Sequence, residues 1–580
     1  MKLWIAVTSL CAAIVLATPA PASPVNPILD QTPPEAILEE RFATVEVDLP
    51  SGGTITGRSI LNVESFNAIP YADPPIGPLR LKPPQKFSGT FGKRDGTGIA
   101  PACPQMLISR ESLGVIGAVF NDVLKIPLLQ SLGGQEDCLT VNVQRPANTN
   151  PNAKLPVLFW IFGGGFEFGG TNSYDATSLL ATAVSQKQPF IFVAVNYRVA
   201  GFGFLPGKEM LADGSANIGL LDQRMGLEWV ADNIAAFGGD PSKVTIWGES
   251  AGAISVFNQM ALYDGNALYK GQPLFRGAIM NSGSIAPASP VDCPKGQLVY
   301  DTVVNKTGCH GTSDTLACLR RADYTTFLDA VNSLPGIISH SSLALSYLPR
   351  PDGKVLTQSP DILARSGKYH PVPMIIGSQE DEGTLFAILT PDLTSPDKVI
   401  NYLSTNFFHG ASKDQLQTLV QLYEPGILQG SPFRTGLLNE LYPGFKRLAA
   451  LFGDVTFTLA RRITLQHAAA ANPSVPTWSY MASYNYGTPF LGTFHASDIL
   501  QVFMGLLPNY ATKSCRTYYL NFVHNLDPNQ GEGGFAHWPM WKEARKLMWF
   551  RWGFGNDVLG DDFRDKAFEF LMASGESLYI

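Results

Sequence analysis

The run Gly248-Glu249-Ser250-Ala251-Gly252 follows Val244-Thr245-Ile246-Trp247 and leads into a stretch of small residues able to open a helix. A serine at the apex of a sharp strand-to-helix turn presents its hydroxyl at the C-terminal edge of a sheet, with a helix N-terminus just behind it. Its backbone is strained there, and glycines on both flanks let neighbouring chains pass close. Such a serine can act as the nucleophile of acyl transfer. The five-residue pattern alone is weak in a chain with 55 glycines. The alternative is an ordinary turn with a helix-capping serine. The chemistry therefore has to be sought in partners elsewhere.

Acyl transfer builds negative charge on a carbonyl oxygen, and one preorganised N–H donor aimed at it contributes about 3–4 kcal/mol. Val157–Phe162 reads as a strand and ends in Gly163-Gly164-Gly165-Phe166. Three glycines after a strand let the backbone turn its N–H groups outward and keep side chains clear. This run lacks the Lys-Ser/Thr ending of a phosphate loop and the Gly-x-Gly-x-x-Gly fingerprint of a dinucleotide site. With a serine elbow downstream, a second donor is expected from the residue after the nucleophile, Ala251.

A serine hydroxyl needs a base at neutral pH, and histidine is the usual one. Enzymes built on this elbow run Ser, acid, His along the chain. Five of the eight histidines follow the strand-like run Val372–Ile376. His467 lies in a helical run, His409 follows a Phe-Phe pair, and His524 and His537 are far out in the C-terminal segment. His495 stands in a glycine-bearing loop after the last strand-like run and is favoured on position. The loop after Val372–Ile376 offers Glu380, Asp381 and Glu382 as the carboxylate that orients the imidazole. Spacing does not choose among the three.

These residues need a scaffold. Val157–Phe162, Phe190–Val199, Val244–Trp247, Gly277–Asn281, Val372–Ile376 and Thr477–Tyr484 are short, mostly continuous apolar runs, as expected for strands covered on both faces. Helical stretches lie between them, and Leu220–Ala236 stops at Gly238-Gly239-Asp240-Pro241. The alternation argues for an α/β layered fold with a large, mostly parallel sheet. Residues 398–467 look helical, with Gln415–Tyr423 and Leu448–His467 the clearest segments, and read as an elaboration on the same core. No Ser/Gly/Pro-rich linker divides the chain, so residues 23–580 are expected to form a single catalytic domain.

Of 580 residues, 45% are apolar and 16% charged, which fits a globular protein. The net charge of -7 argues against a nucleic-acid partner. Lys2, the apolar Leu3–Ala17 and the small-x-small Ala20-Pro21-Ala22 read as an export signal over residues 1–22, with the mature chain starting near Ser23. The apolar run is short for a membrane span, and no stable anchor is expected. With Cys11 removed, six cysteines remain, as expected of disulfides in an exported chain. None of their spacings suggests a metal site. Asn305-Lys306-Thr307 is the glycosylation sequon.

Together with Ala68-Ile69-Pro70-Tyr71-Ala72, Glu136-Asp137-Cys138-Leu139-Thr140-Val141-Asn142-Val143, Asn196-Tyr197-Arg198 and the stretch Asn217–Gly252, these pieces resemble the type-B carboxylesterase/lipase family. This is the cholinesterase-like branch of the α/β-hydrolase fold, and the resemblance covers nearly the whole mature chain. It implies a Ser250, Glu382, His495 triad. It also implies oxyanion donors at Gly164, Gly165 and Ala251, no cofactor, and disulfides Cys103–Cys138 and Cys309–Cys318. Cys293 and Cys515 have no partner in the family pattern and are left as a third bridge or free thiols. The family's usual glycine before Ile-Pro-Tyr is Ala68 here, a change expected to matter little.

A Cys103–Cys138 bridge closes a loop of about 34 residues, worth roughly 3–4 kcal/mol of loop-closure entropy. Within it Leu113, Ile116, Phe120 and Val123/Leu124 recur at helical spacing, followed by Ile126, Leu128, Leu129 and Leu132. One reading is a helix packed permanently on the core. The other is a mobile lid over residues 104–137 whose apolar face meets lipid. Its length and apolarity look like those of the family's fungal lipases and sterol esterases. The expected substrates are long-chain acyl esters, triacylglycerols and also steryl esters, met at an oil–water interface by a secreted enzyme. Exposed lid surface would also allow self-association. The rival readings are a short-chain or secondary-metabolite carboxylesterase, a non-catalytic adhesion protein on the same fold, and, less favoured by the glycine run, a serine peptidase.

Overall fold

Strands whose residues are apolar on both faces must lie in the middle of layers, and here they do. The computed structural model describes residues 43–580 except 51, 91, 107–133, 507 and 554. The export signal over 1–22 and the apolar core of the 104–137 segment lie outside the described residues. In chain order the strands are β1 (Ala43–Asp48), β2 (Thr54–Ile60), β3 (Val63–Pro70), β4 (Lys93–Asp95), β5 (Thr140–Pro146), β6 (Leu155–Ile161), β7 (Ile191–Val195), β8 (Gly239–Glu249), β9 (Leu268–Tyr269), β10 (Gln272–Pro273), β11 (Gly277–Asn281), β12 (Met374–Gln379), β13 (Thr477–Ser483), β14 (Lys546–Arg551) and β15 (Asp557–Gly560). All but β9 and β10 join one sheet in the order β1-β2-β3-β5-β7-β6-β8-β11-β12-β13-β14-β15, with β4 beside β2.

The run β7-β6-β8-β11-β12-β13-β14 is parallel throughout. Five of its members, β7, β6, β11, β12 and β13, are buried almost end to end. These are the continuous apolar runs of the sequence, with shifted ends. Pro371 and Pro373 lack the N–H a central strand needs, so β12 starts at Met374 and runs on to Gln379. The chain leaves the sheet after Val195, so Asn196-Tyr197-Arg198 lies in a loop rather than in β7. There Tyr197 donates to the Phe162 carbonyl at 2.7 Å, and Arg198 forms a buried ion pair with Asp222 at 2.6 Å. The edges, β1-β2-β3-β5 and β14-β15, are antiparallel.

The edge carries one local departure. β3 pairs with β5 through a bulge between Phe66 and Ile69, and Ala68 sits inside it at φ 55°. That left-handed conformation suits glycine, so the alanine carries a backbone cost of about 1 kcal/mol.

Residues 384–471 form the helical elaboration and bury their own apolar cluster, including Phe386, Leu403, Phe407, Leu416, Phe445 and Phe452. The expected helix over Leu448–His467 is two helices, Phe445–Gly453 and Leu459–Ala471, joined by a wider π-turn at Asp454–Thr458. Disulfides Cys103–Cys138 and Cys309–Cys318 are both formed. Cys293 and Cys515 are both free, so they do not form a third bridge with each other.

Candidate active site

β8 ends at Glu249 and a helix opens at Ala251, leaving Ser250 as the single turning residue. Its backbone is at φ 57°, ψ -127°, a sparsely populated region that costs about 1–3 kcal/mol. Two bonds hold it there. The Ser250 N–H donates to the Asn281 carbonyl at the end of β11, 2.9 Å away, and the Ile254 N–H donates to the Ser250 carbonyl at 3.0 Å. The flanking glycines are sterically required. A Cβ at Gly252 would lie 2.0 Å from the Ile161 carbonyl oxygen, and one at Gly248 would lie 2.3 Å from that of Gly252.

The glycine run after β6 lies against this turn, since a Cβ on Gly163 would sit 2.9 Å from Ser250 Cβ. Gly164 and Gly165 have φ 103° and 64°, and a Cβ on Gly164 would meet the Phe168 carbonyl at 2.2 Å. Glu167, four residues after Gly163, is buried and accepts the Ile337 N–H through Oε2 at 2.6 Å. Ile337 in turn packs its Cδ1 2.8 Å from where a Gly165 Cβ would be. Burial pushes the Glu167 carboxyl up to about 8.

His495 Nε2 lies 2.8 Å from Ser250 Oγ, and Nδ1 lies 2.6 Å from Glu382 Oε2. The Nδ1–H donates to the carboxylate, so Nε2 is the acceptor of the serine proton. Glu382 Oε1 accepts the Gln379 N–H at 2.7 Å. No other histidine among the described residues bonds Ser250. The rings of Phe386 and Phe457 stand 5.1 and 4.4 Å from the imidazole and give it an apolar flank. Burial lowers its pKa, but Glu382 first and Glu249 next outweigh that, and the net shift is upward.

The three carboxylates after β12 separate into three jobs. Glu382 faces His495. Asp381 is a strut: Oδ1 accepts from Ser431 Oγ (2.8 Å) and the Phe433 N–H (2.9 Å), and Oδ2 accepts the Thr493 N–H (2.9 Å). Glu380 pairs with Arg434. Burial, with Glu380 beside it, raises Asp381 to about 7.

Two further acids beside His495 carried no signal of their own in the sequence. Glu249 occupies the variable position of the Gly-x-Ser pattern. Its Oε1 is buried without a hydrogen-bond partner, 3.4 Å from Nε2, and burial pushes its carboxyl up to about 8. Asp498 accepts from Asn281 Nδ2 at 2.6 Å, and burial raises it to about 6. Asn281 also accepts through Oδ1 from Trp247 and Tyr519, so the network ties β8, β11 and the histidine loop together.

The sequence profile of the carboxylesterase family matches residues 43–569. The chain is similar to "Secreted triacylglycerol lipase LIP1" of Gibberella zeae, 59% identical over 549 residues, covering 94% of this chain and 93% of that protein. It is 42% identical over 544 residues to "Lipase 4" of Diutina rugosa, covering 92% and 96%. Among solved structures, the crystal structure of Aspergillus niger EstA superposes with a TM-score of 0.77 at 25% identity, covering 93% of this chain and 99% of that one.

Proposed function

The chain belongs to the carboxylesterase family and is a carboxylic ester hydrolase, and from that premise we propose that it is a secreted lipase using Ser250, His495 and Glu382 on long-chain acyl esters. The observation that carries this reading is the continuous relay from Ser250 Oγ through His495 to Glu382 at the end of the parallel sheet.

The steps are these. His495 Nε2 takes the Ser250 proton as Oγ attacks the ester carbonyl. The N–H groups of Gly164, Gly165 and Ala251 receive the oxyanion. His495⁺ gives the proton to the departing alcohol, leaving an acyl-serine. Water, deprotonated by the same Nε2, attacks the acyl carbon, and His495⁺ returns the proton to Ser250 Oγ as the acyl–serine bond breaks and the fatty acid leaves. Glu382 holds the Nδ1–H tautomer and balances the imidazolium charge in both halves. The chain's own residues supply every proton transfer.

Long acyl chains are supported by the apolar, disulfide-tied segment 104–137 and by relatives named as lipases. Export is supported by the leader-like residues 1–22 and by the relatives' description as secreted. Asn305, exposed in the last turn of the helix Pro294–Lys306, is the proposed glycosylation site.

A panel of p-nitrophenyl esters of rising chain length, with triolein and cholesteryl oleate beside it, tests the substrate class. The expected result is a rate optimum at long chains and release of oleate from triolein. An optimum at acetate or butyrate with no triolein hydrolysis would instead mark a short-chain esterase. Hydrolysis of cholesteryl oleate would add steryl esters. Ser250→Ala is expected to abolish turnover by a factor of about 10⁴ or more with the fold intact. Full activity in that variant would refute the nucleophile.

A further inference from the structure

Outside the relay, the described surface carries an apolar face that the proposed mechanism does not use. It is built from Ile427, Leu428, Leu437, Leu438, Leu441 and Phe490. Leu428, Leu437 and Leu438 are 62%, 69% and 71% exposed. Large apolar side chains clustered in water mark a contact surface.

The segment is held together from beneath. Lys446, 1% exposed, donates through Nζ to the carbonyls of Ile427 (3.0 Å) and Gly436 (2.9 Å), which brings the two leucine-bearing turns side by side. Asn439 Oδ1 accepts the Phe490 N–H at 3.0 Å, which joins them to the loop leading to His495. The face also has a fixed position. Ser431 and Phe433 from the segment, and Thr493 from the histidine loop, all bond the Asp381 carboxylate next to Glu382. The apolar turns therefore sit at the C-terminal edge of the sheet, where Ser250 opens.

Charge is sparse on this face, with Arg434 exposed within it and Glu424 exposed at its border. Between Pro425 and Asn439 the single charged residue is Arg434, whose guanidinium pairs with Glu380 and lies over the Tyr486 and Trp549 rings. Glu440 turns its carboxylate to the N–H groups of Gly444 and Lys446. A leucine-rich face whose one inner charge is already paired with Glu380 suits an uncharged surface, whereas an acidic or basic protein partner would call for unpaired opposite charge.

We propose that Ile427–Leu441 with Phe490 is a permanent platform that docks the enzyme on a neutral lipid–water interface, distinct from the 104–137 segment. It rests on the lipase reading above. It orients the Ser250 edge toward the substrate phase before any acyl chain enters the site.

The test uses the full chain and a triolein emulsion. Wild type, Leu437→Ser/Leu438→Ser and a control, Leu61→Ser, are compared. Leu61 is 79% exposed at the β2–β3 turn, towards the far edge of the sheet. Protein depleted from the aqueous phase is measured beside the rate on p-nitrophenyl butyrate below its solubility limit. The double variant is expected to partition onto triolein about tenfold less, with an unchanged soluble-ester rate. Leu61→Ser is expected to behave as wild type. Undiminished partition of the double variant, or an equal loss in Leu61→Ser, would overturn the platform. So would sedimentation showing a wild-type dimer that the double variant dissolves while its partition stays unchanged, since the face would then pair two copies. Oleate release by wild type is read in the same emulsion: its absence would count against the lipase reading, whereas adsorption alone decides the platform.

Discussion

His495 works between opposing pulls. Burial draws its pKa down while Glu382 and Glu249 raise it, and the net is above the ordinary 6.5. A catalytic base must be neutral, so activity should be lost as pH falls through a value above 6.5. Glu382→Gln removes the nearest charge and the tautomer lock together. It should lower kcat by about 10⁴ and move the acid limb of kcat/KM to lower pH. A pH profile of the residual activity checks both, and an unmoved limb would put the charge elsewhere. At this scale the residues were partly legible in the sequence. Ser250 has a pattern, and a family resemblance picks Glu382 from three adjacent acids. Nothing local separates Glu380, Asp381 and Glu382, because their jobs depend on Arg434, Ser431 and Thr493, far along the chain. Glu249 was invisible for another reason: the motif treats its position as free.

Elements position these residues through backbone conformations that side chains resist. Gly252→Ala would push a methyl to 2.0 Å from the Ile161 carbonyl. Soluble-ester activity should fall at least about tenfold, because the helix behind Ser250 must move. Ala68→Gly runs the other way. It relieves φ 55° in the β3 bulge and should raise stability by roughly 0.5–1 kcal/mol, read as a higher thermal midpoint. A lower midpoint would mean that the unfolded-state entropy of glycine outweighs the strain. The parallel strands were legible as continuous apolar runs. The antiparallel edges were not, since β2 (Thr-Ile-Thr-Gly-Arg-Ser-Ile) is half-exposed and carries glycine and arginine. The π-turn at Asp454–Thr458 was hidden inside one helical pattern, yet it carries the Phe457 ring that stands against His495. A single wide turn leaves the apolar spacing on either side nearly intact.

At the scale of the molecule, one sheet brings residues 164, 250, 382 and 495 to its C-terminal edge, and the apolar turns of Ile427–Leu441 lie beside that edge. On the proposed reading two devices serve an aggregated substrate, the disulfide-tied segment 104–137 as a lid and the leucine platform as a dock. Rate plotted against a long-chain ester should therefore rise abruptly at the solubility limit, and a smooth saturation curve would count against gating by 104–137. The most direct measurement concerns Ser250 itself. A p-nitrophenyl phosphonate bearing a long alkyl chain is incubated with the full protein, and intact mass and peptide mapping are followed beside triolein hydrolysis. The account expects one phosphonyl group per chain, on the peptide containing Ser250, with oleate release falling in proportion to labelling. A label on another residue, or triolein hydrolysis that persists in the fully labelled protein, would contradict it.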